Sequence, residues 1–229
     1  MTSRRIEPSA GANRPPGEGG VIAPEGVPFV LGAAAATAAL FFLWPKSLPI
    51  AAGLLLTAFM AWFFRDPGRI SPSESGAVVS PADGKIVFCG DWPPGRYYDE
   101  PGKMVSVFMS VFDVHVNRAP VSGRVASVLY NPGKFHVASV DKASLENEQN
   151  GVVIETAGGQ RVSYVQIAGL IARRIVCYLS EGETVERGQR VGMIRFGSRV
   201  DIILPASATL RVKMGDRVRA GESVVGVLE

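Results

Sequence analysis

The hydrophobic and polar positions divide the chain into three zones of different character. Residues 1–26 are rich in Gly, Pro, Ser, Arg and Glu, and we expect a disordered tail because such a composition cannot bury enough apolar surface to fold. Residues 27–66 contain two long uncharged runs. In residues 67–229 short β-branched runs alternate with turn residues, which predicts one folded domain rich in β-strands.

The two uncharged runs are Pro28–Trp44 and Leu48–Phe64, and each has 17 residues, near the lower limit for a helix that crosses a bilayer core. Pro45 and Lys46 separate them and suit a turn. We therefore predict a hydrophobic helical hairpin that anchors the chain in a membrane, and the pattern fits both a hairpin that crosses the bilayer and one that only enters it. Arg residues on both flanks outnumber the single Lys of the turn, which predicts cytoplasmic flanks. A cleaved signal peptide is the alternative for the first run, but a second apolar run follows it at once.

The third zone predicts a mainly β fold with internal repeats. Gly182–Val191 and Gly215–Val224 both follow G-[DE]-x-V-x-x-G-x-x-V, while Pro81–Val87 and Pro120–Ala126 share P-x-x-G-[KR]-[IV]. Such units resemble biotinyl and lipoyl carrier domains. We expect interlocked β-hairpin or flattened-barrel units of that kind, with one short helix over Lys142–Glu148.

Composition and charge exclude several classes of function. Hydrophobic residues make up 47% and charged residues 20%, which is enough for a sizeable core. The net charge of +3 is mild and the Lys and Arg residues are not clustered with aromatics, so we expect no nucleic-acid partner, although a contact with an anionic membrane surface is compatible. We expect no metal site, because Cys89 and Cys177 form no C-x-x-C pair and no ligand cluster surrounds His115 or His136.

Three segments contain residues that together could activate a hydroxyl group. They are Ser80–Gly84 with Asp83, Phe112–Arg118 with His115, and Arg195–Asp201 with Gly197 and Ser198. Each alone has a plain structural interpretation, because Asp-Gly and Gly-Ser pairs are common in turns and a lone His among Val residues is commonly a core residue. In combination, His can take the Ser proton while Asp orients the imidazole.

The same segments resemble those of the phosphatidylserine decarboxylase family in its compact bacterial form. SPADG, FDVHVNR, the stretch Asn131–Asn150 and FGSRVD agree with that family in order and spacing over about residues 60–229. The resemblance implies a lyase made as a zymogen. Ser198 would attack the carbonyl of Gly197, and autocatalytic cleavage would give a β chain of residues 1–197 and an α chain of residues 198–229. The pyruvoyl cofactor would derive from Ser198 and form a Schiff base with phosphatidylserine, which loses CO2 to give phosphatidylethanolamine.

The resemblance also implies roles for other residues. Asp83 and His115 would activate Ser198, and His115 is our candidate for returning a proton to the substrate. Longer relatives carry a second His where this chain has Arg118, which leaves the division of labour open. Candidates for headgroup contacts are Lys134, His136 and Lys142, with a solvated loop as an equal alternative.

The expected partners and location follow from the anchor and the substrate. They are phosphatidylserine, the lipid bilayer, and the cleaved α and β chains as a heterodimer, with further dimerisation open. We expect the inner membrane, with the catalytic domain on the cytoplasmic side. One alternative is a membrane-tethered biotinyl/lipoyl-like carrier or adaptor, but the sequence lacks the A-M-K-M motif of a carrier and the long helical repeats of an adaptor. A pyruvoyl decarboxylase of a soluble amino acid is another, but it would have no use for the apolar hairpin.

Overall fold

The computed structural model describes residues 20–44, 46–133, 147–169, 175–195 and 198–229. They fall into two compact units, one spanning Gly19–Gly68 and the other containing Arg69–Glu229. The predicted short helix is not formed at Asn147 and Glu148, and its remaining residues lie outside the described ranges.

The first unit is a pair of helices, in agreement with the two uncharged runs. Helix α1 spans Val27–Leu43 and helix α2 spans Ser47–Phe63. The helices approach closely at Gly53, where an added Cβ would lie 2.6 Å from Oγ1 of Thr37. Among the described residues, the helical stretch Pro24–Leu43 is long and apolar enough to cross a membrane, whereas α2 is a shorter apolar helix. An anchor and a signal sequence both have these properties.

The tail becomes ordered earlier than we predicted. Strand β1 (Gly20–Ile22) pairs with β2 (Arg65–Asp66), and Pro24–Gly26 form a 3-10 turn, whereas the composition predicts disorder as far as residue 26. The reason is a local contact, because an added Cβ on Gly26 would lie 2.2 Å from Cβ of Phe64. Residues 1–19 lie outside the described residues, so their disorder stays a prediction.

The second unit is mainly β, as the turn-punctuated pattern predicted. Its strands are β3 (Ala77–Val79), β4 (Gly84–Trp92), β5 (Gly102–Met109), β6 (Val116–Arg118), β7 (Gly123–Asn131), β8 (Gln149–Glu155), β9 (Arg161–Ala168), β10 (Ile175–Cys177), β11 (Thr184–Val185), β12 (Arg190–Ile194), β13 (Ser198–Pro205), β14 (Thr209–Leu210), β15 (Arg217–Val218) and β16 (Val224–Val227). A curled eight-stranded sheet has the order β11-β7-β8-β9-β13-β5-β4-β15. Two three-stranded sheets have the orders β10-β12-β6 and β14-β16-β3. Buried apolar side chains from all three sheets form one core.

The order of the strands shows that the second unit consists of two equivalent halves. The eight-stranded sheet has the same pattern from either end, with β11, β7, β8 and β9 matching β15, β4, β5 and β13, and the two small sheets match each other. Even an irregularity of pairing recurs, between Ile86 and Phe88 in one half and between Val125 and Ser127 in the other. In the sequence, the half that runs from β6 to β12 is inserted between β5 and β13 of the other half. In the eight-stranded sheet, the two halves meet where β9 pairs with β13.

The glycines of the predicted repeats form equivalent turns, one in each half. The backbone N–H of Gly188 donates to O of Ala119 at 2.9 Å, and that of Gly221 donates to O of Ser80 at 2.8 Å. Both glycines have positive φ, 81° and 75°, a backbone conformation that residues other than glycine rarely adopt. The repeat seen in sequence is therefore a repeat of structure, whereas the likeness to biotinyl and lipoyl carriers stays a prediction.

Candidate active site

Ser198 is the first residue of β13, which is one of the two central strands of the eight-stranded sheet. It pairs with Met109 at the end of β5 and with Ala168 at the end of β9. The residue is fully buried, and its Oγ donates to Sδ of Met109 at 3.3 Å. A thioether is a weak acceptor, so the hydroxyl is sequestered from water without a strong partner among the described residues. Gly197 lies outside those residues.

Asp83 lies in the turn between β3 and β4, with its carboxylate engaged on both oxygens. Oδ2 accepts a hydrogen bond from Nη2 of Arg69 at 2.8 Å, and Oδ1 accepts one from the backbone N–H of Ala220 at 2.7 Å. Arg69 also donates to Glu222 at 3.0 Å. Asp83 therefore fastens a turn and forms a largely buried ion pair.

The other half of the unit has a serine at the position of Asp83. Oγ of Ser122 accepts a hydrogen bond from the backbone N–H of Arg187 at 2.8 Å, as Asp83 does from Ala220. The backbone contact alone needs only a short side chain with an acceptor oxygen. What Asp83 adds is a negative charge next to Arg69, and this charge is what distinguishes it from a plain turn residue.

His115 lies between β5 and β6 and is fully buried. Its Nδ1 is 2.9 Å from the carbonyl O of Asp113. A carbonyl oxygen only accepts hydrogen bonds, so Nδ1 carries the hydrogen, and Nε2 is the basic nitrogen of the neutral ring. The Asp113 side chain fixes the loop by accepting from the backbone N–H and Oγ of Ser110 at 2.8 and 2.7 Å.

The segments that carry Asp83, His115 and Ser198 converge around two residues, Pro81 and Met109. The carbonyl O of Pro81, in the turn of Asp83, accepts a hydrogen bond from the backbone N–H of Arg118, in the strand that follows His115, at 3.0 Å. Met109 contacts Ser198. The structure thus brings the three motifs to one end of the sheet.

Arg118 stands where longer relatives are expected to carry a second histidine. Its side chain is 2% exposed and Nη1 donates to O of Gly188 at 2.8 Å. An added Cβ on Gly221 would lie 2.9 Å from Cδ of Arg118, so the side chain packs against both repeat glycines. The residue fastens the junction of the two halves, which is a structural task that a histidine is too short to perform in the same way.

Buried side-chain amides near the site, in two places, were not predicted from the sequence. The first place is the core, where Asn117 and Gln166 are both 0% exposed. The second place is next to β9, where Nδ2 of Asn147 donates to O of Ala168, the pairing partner of Ser198, at 2.7 Å. A polar residue at a core-facing position of an apolar strand, such as Gln166 between Val165 and Ile167, is the signal that would have found them.

On the opposite face of β13, a buried ion pair follows Ser198. Nε and Nη2 of Arg199 donate to Asp201 at 2.5 and 3.1 Å, and Nη2 also donates to Oγ of Ser106 at 2.8 Å. Burial raises the pKa of Asp201, and the nearby Arg199 guanidinium only partly offsets this. The free-energy cost of desolvating the Asp201 carboxylate is therefore larger than the stabilisation that Arg199 provides.

The described residues contain no group of three or more His, Cys, Asp or Glu that could hold a metal ion. Within the same ranges, Cys89 and Cys177 are free thiols, and burial raises the pKa of each. Lys134, His136 and Lys142, the candidates for headgroup contacts, lie outside the described residues.

Comparison with known proteins identifies the family. A family model described as phosphatidylserine decarboxylase matches residues 56–226. Proteins named phosphatidylserine decarboxylase proenzyme are similar over nearly the whole chain. The one from Geotalea uraniireducens (strain Rf4) is 52% identical over 207 residues, which cover 90% of this chain and 96% of the relative. The one from Magnetococcus marinus (strain ATCC BAA-1437 / JCM 17883 / MC-1) is 44% identical over 220 residues, which cover 92% and 96%. Since the match includes the segments of Asp83, His115 and Ser198, the chain belongs to the phosphatidylserine decarboxylase family.

Proposed function

We infer that this chain is the proenzyme of a phosphatidylserine decarboxylase, an enzyme that converts phosphatidylserine to phosphatidylethanolamine and CO2. The observation that carries this inference is the identity of 52% to a protein of that name, over 90% of this chain. The alternative, a biotinyl/lipoyl-like carrier or adaptor, finds no support in the comparisons.

Autocatalytic cleavage between Gly197 and Ser198 produces the active form. Oγ of Ser198 attacks the carbonyl carbon of Gly197, the C–N bond breaks, and an ester replaces the amide while the nitrogen takes up the hydroxyl proton. Loss of the α-hydrogen of Ser198 then expels the Gly197 carboxylate. The dehydroalanine that remains takes up one water, releases ammonia, and becomes a pyruvoyl group at the start of the α chain, residues 198–229.

The surroundings of the Ser198 side chain support a pyruvoyl group at this position. Once the hydroxyl leaves, the β-carbon is a methyl group, and its neighbours are the Met109 thioether and the Ala168 strand. A methyl group packs against sulfur without leaving a buried polar atom unpaired. The carbonyl of the group supplies an electron sink for decarboxylation.

His115 and Asp83 activate Ser198 in this proposal. The hydrogen bond from Nδ1 of His115 to Asp113 keeps Nε2 basic in the neutral ring, so this nitrogen can receive the Ser198 proton. The Asp83 carboxylate, which Arg69 and the backbone of Ala220 hold in place, favours a positive charge nearby.

We expect His115→Ala to slow splitting of the proenzyme by roughly 10²–10⁴-fold, the usual contribution of a general base. The fraction of the 198–229 fragment is followed over time after cell-free synthesis into lipid vesicles. Phe112→Ala is the control, since that side chain lies in the same loop but is 67% exposed. A His115→Ala protein that splits normally and turns over at the wild-type rate would show that His115 has neither role.

The two chains are expected to stay together as a heterodimer after cleavage. Strand β13 of the α chain pairs along its length with β5 and with β9, both in the β chain of residues 1–197. Strands β15 and β16 pair with β4 and β3. Cutting one peptide bond leaves these antiparallel ladders unchanged.

The helix pair anchors the enzyme at the cytoplasmic side of the inner membrane. Large apolar side chains on both helices are exposed in the protein alone, for example Phe42 at 79% and Leu55 at 72%. A phospholipid substrate resides in the bilayer, and anchorage raises its effective concentration at the site.

The activity is tested with the purified chain in vesicles that contain phosphatidylserine. We expect release of CO2 with formation of an equal amount of phosphatidylethanolamine, and no conversion of free serine. Fully split protein that converts no phosphatidylserine would overturn the proposed function.

A further inference from the structure

Three buried side-chain amides form a chain of hydrogen bonds through the core of the second unit. Nδ2 of Asn150 donates to Oε1 of Gln166 at 3.1 Å, and Nε2 of Gln166 donates to Oδ1 of Asn117 at 3.0 Å and to O of Val176 at 3.3 Å. All three side chains of this amide chain are 0% exposed. Polar groups buried among apolar side chains cost free energy unless they are paired, so hydrogen bonding at both amide atoms fixes the orientation of Gln166 and of Asn117.

Asn117 is the end of the amide chain that reaches the candidate site. Because Gln166 donates to its Oδ1, the donor Nδ2 is directed to the other side. There it donates to O of Pro81 at 3.4 Å and to Sδ of Met109 at 3.8 Å. Pro81 belongs to the turn of Asp83.

Met109 is the residue through which Asn117 can influence Ser198. Its sulfur accepts from both the Ser198 hydroxyl, at 3.3 Å, and the Asn117 amide, at 3.8 Å. A methionine side chain has three rotatable bonds and adapts easily to its surroundings, so on its own it would hold a hydroxyl loosely. A second, fixed donor on the same sulfur restricts the conformations of Met109 and hence the direction of the Ser198 hydroxyl.

We propose that Asn117, oriented by Gln166, is a positioning residue for self-cleavage, which it serves by holding Met109 against Ser198 and the Asp83 turn against the strand that follows His115. The inference rests on the proposed cleavage at Ser198. Asn117 acts through Met109 and Pro81 and makes no described contact with the reacting atoms. Attack on the neighbouring carbonyl needs the hydroxyl in one orientation, and a misplacement of about 1 Å can slow such a step by two orders of magnitude.

The test compares the first-order rate of fragment formation in matched variants of the full chain. Asn117→Leu, which keeps the size and removes the donor, is expected to split roughly 10–100-fold more slowly than wild type. Ser163→Ala is the control, because it removes a buried hydrogen bond on the opposite face of β9, from Oγ to O of Tyr97 at 2.6 Å, and it is expected to split at the wild-type rate. Thermal midpoints of both, measured in a Ser198→Ala background, report the loss of stability separately.

A double-mutant cycle distinguishes positioning from a merely structural role. If Asn117 acts through the sulfur of Met109, the slowing in Asn117→Leu combined with Met109→Leu is clearly less than the product of the two single effects, and any slowing beyond that of the slower single variant reflects the contact with Pro81. Slowing that multiplies in the double variant, or an Asn117→Leu protein that splits within about twofold of wild type, overturns the inference. If Asn117→Leu does not fold, Gln166→Met is compared instead, because it leaves Asn117 in place without its orienting donor. Slower splitting of Gln166→Met supports the inference, and splitting at the wild-type rate overturns it. Failure of the wild-type chain to split would instead refute the proposed function.

Discussion

Ser198→Ala is expected to leave the proenzyme uncut and without decarboxylase activity. Alanine lacks the hydroxyl that attacks the Gly197 carbonyl, and without cleavage no pyruvoyl group forms. A denaturing gel should therefore show only the full chain of 24.3 kDa. Folding should be little affected, because the hydroxyl that is lost donates only to a thioether among the described residues.

The control for this experiment is Ser207→Ala, in the same predicted α chain but exposed and after the end of β13. That variant should split like the wild type and keep its activity. If Ser198→Ala still released a fragment of residues 198–229, attack by this hydroxyl would not be the cleavage mechanism.

Asp201→Leu is expected to lower the free energy of unfolding by about 3–5 kcal/mol, because it leaves the buried Arg199 guanidinium without its counter-ion. Among the described residues, the hydrogen bond that Arg199 keeps is the one to Oγ of Ser106. Chemical denaturation in detergent, in a Ser198→Ala background so that the chain is intact, measures the change. The exposed pair of Arg211 and Glu74 offers the comparison, since Glu74→Leu should cost no more than about 1 kcal/mol.

Replacing both members of the buried pair should restore most of the lost stability. Burial raises the pKa of Asp201 despite Arg199, so in the folded state the carboxyl holds its proton to a higher pH than in the unfolded state. Its contribution to stability is therefore present below the unfolded aspartate pKa and is lost as the pH rises through the folded pKa. The double variant Arg199→Met with Asp201→Leu should remove this pH-dependent loss of stability. Equal destabilisation of the single and double variants would show that packing, and not an unpaired charge, causes the effect.

Much of the fold is predictable from local patterns in this sequence. Uncharged runs of 17 residues exceed any ordinary strand, so they indicate helices. Short β-branched runs between glycines indicate strands, and the G-[DE]-x-V-x-x-G motif indicates turns that recur in the structure at Gly188 and Gly221. The central position of β13 is not predictable in this way, because it depends on pairing between Ser198 and Met109, 89 residues apart.

The candidate site shows the same division between local motifs and distant contacts. Asp83, His115 and Ser198 each stand in a recognisable motif, and their segments meet at one end of the sheet. The ion pair of Asp83 with Arg69 has no sequence signal, because nothing in the pattern distinguishes Arg69 from the other arginines. The resemblance presents Arg118 only as a substitute for a histidine, whereas its hydrogen bond to Gly188 shows a structural role.

Mass spectrometry of the purified wild-type chain tests the central claim most directly. We predict two polypeptides, of which the smaller is the 32 residues 198–229, lighter by one ammonia than the same peptide beginning with serine and blocked to sequencing from its N-terminus. An intact chain of 24.3 kDa in active protein, or a break at any bond other than Gly197–Ser198, would contradict the account.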